Sequence, residues 1–207
     1  MYTPPAFRID DHARLQAAIR DARLASFVTA TPDGPLMTPL PLWLDPGEGE
    51  NGTFYGHVAR ANPQWRTPVL GHGLAVFMGP DAYVSPGWYA TKPETGKVVP
   101  TWNYVAVEAA GPVEFFEDPD RLLAVVSRLT DMHEAGRASP WAVSDAPPDF
   151  VRSQLRGIVG LRMPITRLEG KCKMSQNRTA ADRTGVAAGL RASSRPSDRE
   201  AAALVLA

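Results

Sequence analysis

The chain has 207 residues, 44% of them apolar and 21% charged, which suits one ordinary domain with a sizeable core and excludes wholesale disorder. Its 22 Lys and Arg balance 22 Asp and Glu. A protein that grips a nucleic-acid duplex usually carries a basic surplus, so direct DNA binding is disfavoured.

The start, Met1-Tyr2-Thr3-Pro4-Pro5, has no basic stretch followed by an apolar one, and no later run approaches the roughly 18–20 apolar residues of a membrane span. A cytoplasmic chain without a membrane partner is expected. Asp10 and Asp11 precede a helical period in which Leu15, Ala18, Ile19 and Ala22 share a face. From Ala25 the period becomes two. Residues 26–31 read as a strand, Pro32-Asp33-Gly34 as a turn and residues 36–44 as a second strand, with Asp-Gly as the hairpin signal. In that second strand Leu36, Thr38, Leu40, Leu42 and Leu44 face one way, and Met37, Pro39, Pro41 and Trp43 the other. Pro39 and Pro41 strip donors from one edge twice, which a central strand does not tolerate. Two explanations stand: an edge protected against aggregation, or a free edge facing a planar ligand.

Residues 45–52 read as a loop and 53–58 as a strand, and Asn62 and Pro63 as the cap and first position of a helix. Residues 74–78 and 82–84 are short strands, 88–99 a mobile loop, and 101–116 one bent strand or two, with Gly111-Pro112 at the bend. Asp118-Pro119 opens a helix with Leu122, Leu123, Val126 and Leu129 on one face. A loop over 139–148, a short helix over 149–156 and a strand over 157–169 follow. The end is helical over 177–190, and Ser197-Asp198-Arg199-Glu200 reads as a capping box before residues 201–206. The whole is mainly β with helices (α+β): short antiparallel strands forming a small β-barrel over residues 1–176, and a helical appendage over 177–207.

The chain has no phosphate-binding P-loop, no dinucleotide Gly-x-Gly-x-x-Gly, no Gly-x-Ser-x-Gly and no His-Glu-x-x-His. His12, His57, His72 and His133 lie far apart and Cys172 is the only cysteine, so neither a metal site nor an intrachain disulfide is expected. The C-terminal segment carries Arg183, Arg191, Arg195 and Arg199, but also Asp182, Asp198 and Glu200, and supports no helix-turn-helix.

Three polar clusters remain. Gly56-His57-Val58-Ala59-Arg60-Ala61-Asn62-Pro63-Gln64-Trp65-Arg66 combines cations with a helix start, which suits a phosphate, or is an ordinary Asn cap with solvated arginines. Tyr83-Val84-Ser85-Pro86-Gly87-Trp88-Tyr89 and Val99-Pro100-Thr101-Trp102-Asn103-Tyr104 could wall a flat ligand, or close a barrel end or a dimer seam. Lys171-Cys172-Lys173-Met174-Ser175-Gln176-Asn177-Arg178 suits a ligand's polar rim, or is a capped helix start with Cys172 a buried bystander.

Taken in order, an opening Met1-Tyr2-x-Pro4-x-x-Phe7, Gly56-His57 through Asn62-Pro63-Gln64-Trp65, Tyr83-Val84-Ser85-Pro86-x-Trp88-Tyr89, Pro100-Thr101-Trp102-Asn103-Tyr104 and Lys173-Met174-Ser175-Gln176-Asn177 resemble the PaiB family, described as FMN-binding negative transcriptional regulators. The resemblance covers the chain to about Arg191. It implies a flavin-reductase-like split β-barrel of the FMN-binding and pyridoxamine phosphate oxidase-like type, a homodimer, and FMN between subunits. It implies further that Thr38, Pro39 and Leu40 lie along the isoalloxazine ring, and that His57, Arg60 and Asn62 meet the phosphate. Trp102, Asn103, Lys173 and Gln176 form the wall or rim.

Three functions stay open. One is a flavoprotein passing electrons as an FMN-dependent oxidoreductase, since the flavin itself supplies the redox chemistry. The second is a regulator that binds flavin without turnover. The third is a haem-binding or haem-degrading split barrel, with His57 or His72 as ligand.

Overall fold

The computed structural model describes residues 1–206. In chain order its elements are β1 (Arg8–Ile9), α1 (His12–Ala22), β2 (Leu24–Thr31), β3 (Gly34–Pro41), β4 (Trp43–Asp45), β5 (Thr53–Ala59), β6 (Gly73–Val84), α2 (Lys92–Thr95), β7 (Thr101–Gly111) and β8 (Glu114–Phe116). Then come α3 (Pro119–Glu134), α4 (Pro148–Leu155), β9 (Ile158–Pro164), β10 (Arg167–Lys173), α5 (Ala180–Arg191) and α6 (Pro196–Val205). The chain divides into two compact units, with the division falling inside β6, β7 and β10.

One unit comprises Arg23–Phe77 and Glu108–Leu168. Its hairpin β2–β3 pairs from Leu24↔Pro41 to Thr31↔Gly34, leaving Pro32 and Asp33 as the turn. Gly34 sits at φ +112°, which a side chain would strain. On its other side β2 pairs with β6 through Phe27↔Ala75, and β3 is the outermost strand, as its three prolines require. Residues 36–44 are not one strand, however. The ladder stops at Pro41, and Trp43 starts β4 in a second sheet of order β4-β5-β9-β8, where it faces Tyr55. Leu42 dives inward over Gly56, where an added Cβ would lie 2.7 Å from Leu42 Cδ2.

Helix α3 covers that second sheet, burying Leu122, Val125 and Leu129 with Phe116 and Leu155. Asp118 caps it, its carboxylate accepting from the Arg121 N–H at 2.8 Å. The buried face uses Val125 where the sequence suggested Leu123, which is 38% exposed. The i, i+3, i+7 set from Leu122 wins over its neighbour. Residues 157–169 likewise split into β9 and β10. The break comes where Ile165 N–H turns to Gly52 O at 3.0 Å and Thr166 N–H to Ala110 O at 2.9 Å.

The other unit comprises Met1–Ala22, Met78–Val107 and the residues from Glu169 on. Its strands run in the order β1-β10-β7-β6, and α1 buries Leu15 and Ile19 with Asp11 capping the Ala13 N–H at 2.8 Å. What read as two short strands over 74–84 is the single strand β6. The expected loop over 88–99 is ordered at its start, with Tyr89 buried and Trp88 lying on α5. Small residues make that possible: a Cβ on Gly189 would come within 2.4 Å of the Trp88 ring. Helices α5 and α6 belong to this same unit, burying Val186, Leu190, Ala202 and Val205. The capping box expected at Ser197 does not form. Arg195 is the N-cap, and Ser197 instead clamps β6, donating to Asp81 O at 2.7 Å and accepting from Asp81 N–H at 3.0 Å. Among the described residues no helix is long and apolar enough to cross a membrane.

The tightest backbone approach is at Gly111, the end of β7, where an added Cβ would lie 1.8 Å from Pro164 O. Backbone cannot swing aside as a flexible side chain can, so Gly111→Ala is expected to cost about 3 kcal/mol or more. Urea denaturation tests this; an unchanged midpoint refutes the close approach.

Candidate functional site

In the unit built on the β2–β3 hairpin, the polar residues nominated from sequence meet at the outer strand. The Thr38 hydroxyl donates to Gln64 Oε1 at 2.6 Å and accepts from the Asn62 amide at 2.9 Å. The Gln64 amide nitrogen donates onward to Thr29 Oγ1 at 3.0 Å and Leu36 O at 3.3 Å. Gln64 is 1% exposed, so this network ties β2, β3 and the Asn62–Trp65 turn through one buried amide whose every polar atom is matched. Pro39 and Leu40 follow Thr38 on an edge that carries no further strand among the described residues. Leu40 turns its side chain into the core and Pro39 stays exposed.

The helix expected after Asn62 is only a single 3-10 turn, Pro63–Trp65. Asn62 does cap it, accepting the Gln64 N–H at 2.9 Å. One turn aligns too few peptide dipoles to act as an anion site, so a ligand here depends on side chains. His57 lies on β5 opposite Gly160, its Nδ1 buried and without a hydrogen-bond partner among the described residues. Burial holds its imidazolium below the ordinary histidine range, so the ring is neutral at pH 7. Every guanidinium nitrogen of Arg60 is engaged: with Arg156 O at 2.6 Å, with Ile158 O at 3.3 Å and in an ion pair with Glu117. Arg60 therefore braces the approach to β9 as it stands.

The other unit gathers a second set. Tyr89, Thr101, Asn103, Lys173, Ser175, Asn177 and Arg178 line a pocket of about 50 Å³. Lys173 Nζ donates to Thr101 Oγ1 and to Trp102 O, both at 2.5 Å, and burial lowers its pKa from the usual lysine range. Asn103 and Ser175, both buried, exchange hydrogen bonds at 3.1 and 3.2 Å. Of the four residues nominated for the rim, Asn103 and Lys173 meet here. Trp102 lies outside the lining, half exposed and edge-on to Tyr83 with ring centroids 6.0 Å apart. Gln176 folds back on its own turn, accepting the Met174 N–H at 2.7 Å and donating to Cys172 O at 2.5 Å.

A larger hollow of about 730 Å³ in the same unit, floored by residues such as Ala17, Met78 and Val105, contains none of the nominated residues. Cys172 lines it, and burial raises that thiol above its ordinary range, as befits a bystander. Sequence reading quoted Gln64, Tyr89, Ser175 and Arg178 within motifs without nominating them. The available signal was polarity inside segments that must be buried.

The family described as "Putative FMN-binding domain" matches residues 1–167. The protease synthase and sporulation protein PAI 2 of Bacillus subtilis is 30% identical over 99% of this chain and 96% of its own length. An uncharacterized protein of Emericella nidulans is 36% identical over 84% of each chain. Among solved structures, the chain is similar to the FAD and heme binding protein from Mycobacterium smegmatis, at TM-score 0.60 and 16% identity, covering 88% of this chain and 80% of that one. The flavocytochrome Anf3 from Azotobacter vinelandii gives TM-score 0.57 at 16% identity, covering 84% and 70%. At these identities the likeness shows the fold, which is the expected split β-barrel of the flavin-binding type.

Two outcomes follow from the hairpin unit. Gln64→Leu fills the space but strands the Thr29 hydroxyl, which is 0% exposed, and should cost about 1–3 kcal/mol in urea denaturation; a neutral substitution contradicts the network. His57 takes a proton near 6.5 when unfolded and only at lower pH when folded. Stability is therefore complete above pH 6.5 and falls as pH drops from there through the folded value. His57→Gln should flatten that part of the pH–stability curve, and an identical slope in the variant refutes the assignment.

Proposed function

The chain belongs to the PaiB-type family of FMN-binding-domain proteins, and on that premise we propose that it is a cytoplasmic, homodimeric flavoprotein that binds FMN. The observation carrying this reading is the outer edge of β3 at Thr38-Pro39-Leu40, bare of any strand among the described residues and stiffened from behind by Asn62 and Gln64. A flat ring laid along such an edge meets backbone polar groups without needing them to move, and the three prolines of β3 keep another strand from competing for the place.

The residues present fit the cofactor. Thr38 and Leu40 hold the edge in place through the β2 ladder, the carbonyls of the alternate residues face the ring, and Pro39 offers a flat apolar surface. His57 supplies a nitrogen with no competing partner among the described residues. Asn62 and Arg60 address the phosphate. Arg60 must release Glu117 to do so, and this exchange is cheap, because the pair is partly exposed and such pairs hold weakly. Trp102, Asn103, Lys173 and Gln176 serve as wall and rim. Bound FMN supplies electron-transfer chemistry through its own ring, so no side-chain nucleophile is required. Any regulatory role runs through flavin state or a partner protein, because the balanced charge and the acidic groups on α5 and α6 disfavour operator contact.

A haem reading has one observation in its favour: the neutral, unpartnered His57 imidazole is in the state a metal ligand requires.

Adding FMN to purified protein should quench flavin fluorescence and leave the protein yellow. Arg60→Ala should weaken FMN by about tenfold or more while changing riboflavin little, since only FMN carries the phosphate. Equal losses for both ligands refute the phosphate role. Failure to bind FMN, with an intense Soret band on adding haem, transfers the assignment to haem.

A further inference from the structure

The small pocket between Tyr89 and Arg178 has features that no structural role accounts for. Tyr89 is 2% exposed, yet its hydroxyl has no hydrogen-bond partner among the described residues. A buried unpaired hydroxyl is a standing cost that phenylalanine would avoid. Ser175, in the same lining, is a non-glycine residue at φ +64°, a strained conformation that persists only where surrounding contacts impose it. The Gln176 side chain reaches back across Ser175, accepting from Met174 N–H and donating to Cys172 O, and so closes the turn around it.

Charge decides what the pocket suits. Lys173 and Arg178 both line it and no carboxylate does. Lys173 spends two of its three donors on Thr101 and Trp102. Arg178 lies with its guanidinium 4.6 Å from the Tyr89 ring centroid. The nearest acid, Asp182, feels Arg178 but is held elsewhere, accepting from the Thr91 N–H and hydroxyl at 3.0 and 3.1 Å. Two cations exclude a metal ion or an ammonium group. A volume of about 50 Å³ has room for a few waters or one small oxyanion.

We propose that this pocket is an oxyanion site, in which Lys173, Arg178 and the Tyr89 hydroxyl hold a phosphate or carboxylate group. The oxyanion is either the phosphate of FMN, an assignment that rests on the flavin reading above but takes the phosphate from Arg60 and Asn62, or the anionic group of a second small ligand. The orphaned hydroxyl is then a donor kept waiting, and the strained Ser175 is part of what keeps the lining in place.

The test uses inorganic phosphate at millimolar concentration and constant ionic strength, with the thermal midpoint as readout. The full-length chain without flavin should be stabilised progressively by phosphate. Tyr89→Phe loses only the unpaired hydroxyl, so it should be as stable as the parent or more stable without phosphate, and should need roughly fivefold more phosphate for the same shift. Arg178→Met should need about tenfold more. The titration is then repeated on flavin-saturated protein. If the phosphate response vanishes, and Tyr89→Phe weakens FMN but not riboflavin, the FMN phosphate fills the pocket. If the response survives, a separate anionic ligand does. Equal phosphate shifts in all three proteins, or none, overturn the proposal and leave a water-filled pocket. The flavin-free arm gives its answer even if the chain binds no FMN.

Discussion

The organisation of the hairpin unit depends on missing protons. Pro35, Pro39 and Pro41 deprive the outer edge of β3 of N–H donors, with two consequences. The strand can only be outermost. It cannot recruit a neighbour from another molecule. Past Pro41 the chain leaves the first sheet, Leu42 turning inward over Gly56, and begins β4 against β5. The missing donors leave the outer edge of β3 open to something that is not protein backbone. Protection against aggregation and room for a ligand, which the sequence presents as alternatives, are physically compatible.

An outer strand paired on one side only is softer than a central one, and Gln64 answers that. Its amide contacts three segments at once, through Thr29, Thr38 and Leu36 O. Because the residue is buried, none of these bonds competes with water, and their loss would leave unmatched groups in a dry interior. Asn62 completes the set from the turn. Preorganisation of this kind lowers the ordering cost for any ligand laid on this edge.

What could be read in the sequence divides along the range of the interactions involved. The β2–β3 hairpin, the edge character of its second strand and the Asp118 cap follow from local chemistry and stand in the structure where they were expected. The breaks at Leu42 and Ile165 could not be read. Each is set by a partner far along the chain: Gly56 under Leu42, Gly52 and Ala110 for residues 165–166. Ser197 shows the same limit in reverse. Its spacing to Glu200 satisfies the capping pattern, but a strand carrying Asp81 offers it a donor and an acceptor together, and two long-range bonds outweigh one cap. Among the polar clusters, sequence order brought the right segments to notice. It could not separate groups already spent, such as Arg60 and Gln176, from groups left over, such as the Tyr89 hydroxyl.

That distinction between spent and unspent groups bears on function more than the count of polar residues does. A chain that folds to satisfy its own polar atoms has, at most positions, nothing left to offer a ligand. The exceptions carry a free-energy cost that folding alone gives no reason to keep. The Nδ1 of His57 in one unit and the hydroxyl of Tyr89 in the other are two such exceptions, each beside a motif of the family. The first sits on a strand rich in apolar neighbours and stays neutral because charging it would be costly. The second sits beside two cations, where an incoming anion would offset both the orphaned donor and the excess charge. An uncharged acceptor in one place suits a neutral donor, and a charge-matched donor set in another suits an anion.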